Sequence, residues 1–91
     1  MLPIIWSPAA RRKLDQIIGF ILERNPTAAE ELLERLETSV LPASSYPYIF
    51  RAGRVPGTRE IVAHPNYIVV YAVRADHIEI VTVHHARERY P

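Results

Sequence analysis

The segment that most constrains this chain is Tyr67-Ile68-Val69-Val70-Tyr71-Ala72-Val73. Read as a strand, it is apolar on both sides, with Tyr67, Val69, Tyr71 and Val73 on one face and Ile68, Val70 and Ala72 on the other. Side chains alternate across a strand, so such a segment sits centrally and needs a cover on each face. Thr58–His64 before it and His77–His85 after it mix polar with apolar residues and read as its neighbours. The connections, Pro65-Asn66 and Ala75-Asp76, are too short for parallel crossovers, so the three strands form an antiparallel meander.

One cover comes from the first half of the chain. Leu14, Ile17, Ile18 and Ile21 recur at helical spacing, and Leu32, Leu33, Leu36 and Val40 do so again. Ser7-Pro8 and Asn25-Pro26 each supply a capping side chain followed by a proline that suits a first helical turn. The spacing predicts two helices, the second over Pro26 to about Val40, folded back as a hairpin at Asn25. Residues 2–6 read as a strand at a sheet edge, where Pro3 is tolerated. Residues 42–57, broken by Pro42, Pro47, Gly53, Pro56 and Gly57, read as a strap anchored by Tyr46, Tyr48 and Phe50. The expected fold is α+β: an N-terminal edge strand and a helical hairpin packed on a three-stranded antiparallel meander, in one domain spanning residues 1–91. The strap and the C-terminal tail, or another chain, must close the second face.

Composition narrows the function. With no cysteine there is neither a disulfide scaffold nor a thiolate nucleophile. No apolar run approaches a membrane span and no signal segment opens the chain, so a cytoplasmic location is expected. The net charge of +1 conceals an asymmetry: residues 51–91 carry six arginines against four acids. Arginine's planar fork suits carboxylate and phosphate. Neither a metal nor a cofactor is expected, since no spaced pair of ligands stands out.

The order of these elements, with Ile5-Trp6-Ser7-Pro8-Ala9-Ala10, Asn25-Pro26-Thr27-Ala28-Ala29, Pro56-Gly57-Thr58-Arg59-Glu60-Ile61-Val62, Tyr67-Ile68-Val69-Val70-Tyr71 and Val83-His84-His85, resembles the ParE/RelE toxin superfamily over nearly the whole chain. The resemblance implies the toxin of a type II toxin–antitoxin system, neutralised by an antitoxin. ParE-like members inhibit DNA gyrase, and RelE-like members cleave mRNA on the ribosome. The residues favour the ParE branch, a gyrase inhibitor acting by binding, with a ParD-like antitoxin and no direct nucleic-acid contact. No lysine follows Lys13, and no acid lies between Pro42 and Arg59, where some RelE-like nucleases carry a catalytic group. The alternative, a ribosome-dependent mRNA endonuclease, would draw on Arg59, His84, His85 and Tyr90 for phosphate binding and proton transfer. As adjacent strand residues, His84 and His85 point to opposite faces, so a regular strand cannot place both in one cleft. Arg59 has an equally simple role, pairing with Glu60, Glu79 or a carbonyl at the sheet edge. On the ParE reading the surface for target or antitoxin is expected at Arg54, Arg59, Arg87, Arg89 and Tyr90, because arginine and tyrosine are enriched at interface hot spots.

Overall fold

The computed structural model describes all 91 residues, Met1–Pro91. It contains β1 (Ile4–Trp6), α1 (Pro8–Leu22), α2 (Pro26–Ser39), α3 (Leu41–Ser45), β2 (Arg51–Ala52), β3 (Thr58–His64), β4 (Tyr67–Val73) and β5 (Ile78–His85). Both long helices start as their sequences dictate. Ser7 and Asn25 are extended, and their side chains accept hydrogen bonds from Ala10 N and Ala28 N, 3.1 Å each. Each is followed by a proline whose missing N–H costs the first turn nothing.

The strands form one sheet in the order β1-β5-β4-β3-β2. β3, β4 and β5 make the expected antiparallel meander. β1 joins at the edge, parallel to β5, with Ile4 opposite Ile78 and Trp6 opposite Ile80. β4 is indeed central, with Ile68 through Ala72 all buried. Two irregularities bend the meander: β3 carries an extra residue between Val62 and His64, and the β4–β5 register shifts between Val70 and Tyr71. Such bulges re-aim side chains while keeping the pairing.

The helical hairpin covers the face bearing Val69 and Tyr71. Leu14, Leu32, Leu36 and Val40 pack there with Ile61, Ile78, Ile80 and Val83, while Ile17 and Ile21 complete the cluster partly buried. Of the two faces open to the hairpin on sequence grounds, the odd-numbered side of β4 is the one it takes.

The strap is more ordered than its prolines suggested. Pro42 lies in the first turn of α3, where it breaks no bond, and Ala43 of that helix is fully buried. Arg51 and Ala52 then pair with Glu60 and Arg59 as the fifth strand. The link to β3 is a tight turn closed by Thr58 N donating to Val55 O at 3.1 Å, with Gly57 at φ +85°. That angle after a proline is the type II geometry that favours glycine. Gly53 answers a different need, since a Cβ there would stand 2.2 Å from Thr58 Oγ1.

The expected aromatic anchoring of the strap is corrected. Phe50 does pack inward, edge-on to Tyr71 at 6.1 Å between ring centres. Tyr46 and Tyr48, however, are each 66% exposed. The strap is held instead through its backbone, by side chains reaching up from the sheet. Tyr71 Oη donates to Pro47 O at 2.5 Å, and Arg59 Nη1 donates to Tyr48 O at 3.2 Å and Phe50 O at 2.7 Å. Pinning the carbonyls frees the side chains to point outward.

Candidate functional site: the tail-covered sheet face and the strap

The face of the sheet away from the helices carries Glu60 from β3, Ile68 and Val70 from β4, and Thr82 and His84 from β5. The C-terminal tail folds back over it. Tyr90 lies flat on the His84 ring, with centres 4.8 Å apart and planes 16° from parallel. Arg54 Nη1, from the turn before β3, donates to Tyr90 O at 2.9 Å. Glu88 pins the turn that starts the tail, accepting from Lys13 Nζ of α1 at 3.2 Å and from His85 N at 3.3 Å. Burial pushes the Glu88 carboxyl up, but these two hydrogen bonds and the charges of Lys13 and His84 outweigh it and hold it below the usual carboxylate range.

His84 is 1% exposed. Its Nδ1 lies 2.9 Å from His85 O. A carbonyl can only accept, so Nδ1 carries a proton toward it and Nε2 is the ring nitrogen turned to the other side. That atom is buried without a partner, as is Oε2 of Glu60. The other oxygen, Glu60 Oε1, is held by Arg51 Nη2 at 3.0 Å. A buried carboxylate is stable only when paired in this way. In the sequence Glu60 stands out only as an ion-pair partner for its neighbour Arg59. Its burial follows from standing opposite Val70 on the central strand.

The other sequence candidates are dispersed. Arg59 faces the helix side with Tyr71, and its guanidinium is engaged by two strap carbonyls and the Tyr48 ring, 5.0 Å away. Of the simpler roles considered for it, the carbonyl pairing is the one adopted. Glu60 pairs with Arg51 instead, and Glu79 with Arg74 at 2.6 Å. His85 points away from His84, edge-on to Tyr67 at 5.5 Å, and its Nδ1 accepts from Arg87 N at 3.1 Å. Arg87 and Arg89 are exposed on the tail. The structure thus brings together Arg54, His84 and Tyr90, and separates them from Arg59 and His85. His64 serves its turn, accepting from Asn66 N at 3.0 Å. No three His, Asp or Glu side chains converge as a metal-ligand set, and no helix is long and apolar enough to cross a membrane.

Comparison with known proteins places this geometry in a family. Residues 4–90 match the family model described as the ParE toxin of the type II toxin–antitoxin system parDE. The chain is 39% identical over 89 residues to the putative toxin Y4kP of Sinorhizobium fredii, covering 97% of this chain and 92% of that protein. It is 31% identical over 88 residues to toxin RelE2 of Caulobacter vibrioides, covering 94% and 97% of the two chains. Among solved structures, a chain of the chromosomal ParDE system from P. aeruginosa superposes with a TM-score of 0.82 at 20% identity, over 93% of this chain and 96% of that one. At that identity the superposition speaks for the fold: helices packed on one side of a mixed sheet. The family rests on the near-complete match of the ParE model and on the relatives named as toxins. This chain belongs to the ParE toxin family and is the toxin component of a type II toxin–antitoxin system.

Proposed function

We propose that this toxin acts in the cytoplasm by binding and inhibiting DNA gyrase, and that a ParD-like antitoxin neutralises it. The observation that carries the reading is the dispersal of the groups that RNA cleavage would need. Arg59 is engaged by strap carbonyls on the helix side, His85 shares that side, and His84 lies buried under Tyr90 on the other. General acid–base catalysis needs its groups within hydrogen-bond reach of one reacting atom. What the molecule offers on its surface is arginine and tyrosine, the side chains of binding hot spots. Arg54, Arg87 and Arg89 form no ion pair within the chain, and acidic antitoxin residues would pair with them bidentately. The short edges β1 and β2 would accept an added strand.

A second reading, a ribosome-dependent mRNA endonuclease, keeps one specific support. The unpartnered atoms Glu60 Oε2 and His84 Nε2 lie on the same face as the Tyr90 ring. One pair of assays separates the two. In a gyrase supercoiling assay the wild type inhibits, and His84→Ala, His85→Ala and Tyr90→Phe inhibit within about threefold of it. In a ribosome-containing extract no transcript is cut. Strong cleavage by the wild type that drops at least about tenfold in His84→Ala or Tyr90→Phe would replace the first reading with the second.

A further inference from the structure

Leu41, Tyr46, Tyr48 and Ile49 are exposed by 57%, 66%, 66% and 63%. Four large apolar side chains in the nine residues from Leu41 to Ile49 are an unusual thing to leave in water. Buried aromatics normally dominate the packing of a small domain, and clustered exposure of this kind marks an interaction surface. The cluster is not loose. Its backbone is held at three carbonyls by Tyr71 and Arg59 (Pro47, Tyr48 and Phe50) and by Ile49 N donating to Tyr46 O at 3.1 Å. The two sheet side chains therefore build a rigid mount whose ordering cost is met before any partner arrives, which is how preorganisation gains affinity.

Charge identifies the partner. From Val40 to Arg59 the chain has no acidic residue and three arginines, Arg51, Arg54 and Arg59. Arg51 is paired with Glu60 and Arg54 reaches to the tail, but Arg59, 5.0 Å from the Tyr48 ring, faces no carboxylate. A second copy of this surface would bring like charges together, so self-association through it is disfavoured.

We infer that the strap knob formed by Tyr46, Tyr48 and Ile49 is the surface with which this toxin grips its target, a protein presenting an apolar recess rimmed by carboxylates. The apolar side chains enter the recess and supply the affinity. Arg59, beside the Tyr48 ring, meets the rim and orients the approach. The assignment rests on this chain being a toxin and holds whichever protein the target is.

The test uses the whole chain and its cognate antitoxin. Tyr46→Ser, Tyr48→Ser and Ile49→Ser are combined in one variant. A second variant, Tyr46→Asp, sets one carboxylate against the acidic rim and alters a side chain that makes no hydrogen bond in the fold. Growth arrest on induction, antitoxin affinity by calorimetry and melting temperature are measured for each. Colony survival rises at least about a hundredfold in the triple variant and tenfold in Tyr46→Asp, while antitoxin affinity stays within about threefold and the melting temperature is unchanged. Undiminished growth arrest in both variants would overturn the assignment, as would a wild type that arrests nothing. So would antitoxin affinity falling in step with toxicity, which would give the knob to the antitoxin, or a melting temperature that drops in both. Wild-type binding to phosphatidylglycerol vesicles or single-stranded RNA that vanishes in the triple variant would replace the protein partner with a lipid or nucleic-acid one. Gyrase supercoiling, followed in parallel, keeps the two ideas apart: a knob-dependent arrest without gyrase inhibition removes gyrase and leaves the knob.

Discussion

The two faces of the sheet are covered by different means. On the helix side, Leu14 and Leu36 press against Val69, Ile80 and Val83 in a layer from which water is excluded. On the other side a six-residue tail, Ala86–Pro91, rests on a surface that holds a carboxylate and an imidazole. Apolar burial needs only shape and area, and two helices provide both. Burying a charge costs heavily unless it is paired, so the tail side depends on the bond from Arg51 to the buried Glu60, while the exposed pair of Lys13 with Glu88 anchors the start of the tail. Stability is concentrated on one face, and pairing, with whatever can displace it, on the other.

Truncation at three positions grades the contrast. Leu36→Ala removes a fully buried side chain from the helix side and costs about 2–5 kcal/mol in denaturant unfolding. A cost under 1 kcal/mol would show a hairpin that closes over the cavity and would weaken the distinction between the faces. Arg51→Ala strips the one partner of the buried Glu60 carboxylate and costs about 1–3 kcal/mol. Adding Glu60→Gln to that variant recovers part of the loss, because the stranded charge is gone; no recovery would mean that water already reaches Glu60.

The smallest effect lies in the tail. Glu88→Gln costs roughly 0.2–1 kcal/mol, the range of exposed ion pairs. It also carries a pH signature. The Glu88 carboxyl is held below its unfolded value, so its contribution is fully present above the unfolded pKa and fades as pH falls through the lower, folded one. Comparison of wild type and Glu88→Gln by unfolding between pH 6 and the acid limb checks this, the two curves converging at the acid end. A gap that widens toward low pH would reverse the sign assigned to Glu88.

Much of the fold could be read from residue order alone, because its strongest signals are local. Ser7-Pro8 and Asn25-Pro26 fix the helix starts within one residue. The two-sided apolar run at Tyr67–Val73 identifies the central strand without knowledge of its neighbours. The strap was less legible for two physical reasons. Pro42 signals a break in general and a first helical turn in particular, and only the contact of Ala43 with the core selects the second meaning. β2 is two residues long and takes its conformation from β3. The outward turn of Tyr46 and Tyr48 runs against the usual anchoring role of aromatics, and the carbonyl bonds from Tyr71 and Arg59 that make it possible are tertiary. At the candidate site, the opposition of His84 and His85 followed from strand alternation, whereas the stack of Tyr90 on His84 depends on a tail path that no periodicity encodes.

The pairing of β1 with β5 has a consequence for how the toxin is made. Ser7 Oγ donates to Val81 O across 74 residues of chain, and Ile4–Trp6 lie beside Ile78–Ile80. Contacts between such distant segments form late, since closing the intervening loop loses entropy before any pairing is gained. The sheet therefore cannot close until β5 has been made, and until then β1 and α1 lack the strand they rest on. During that interval the growing chain keeps an open sheet edge and an uncovered apolar helix face, so refolding of this toxin is limited by the joining of its first and last strands.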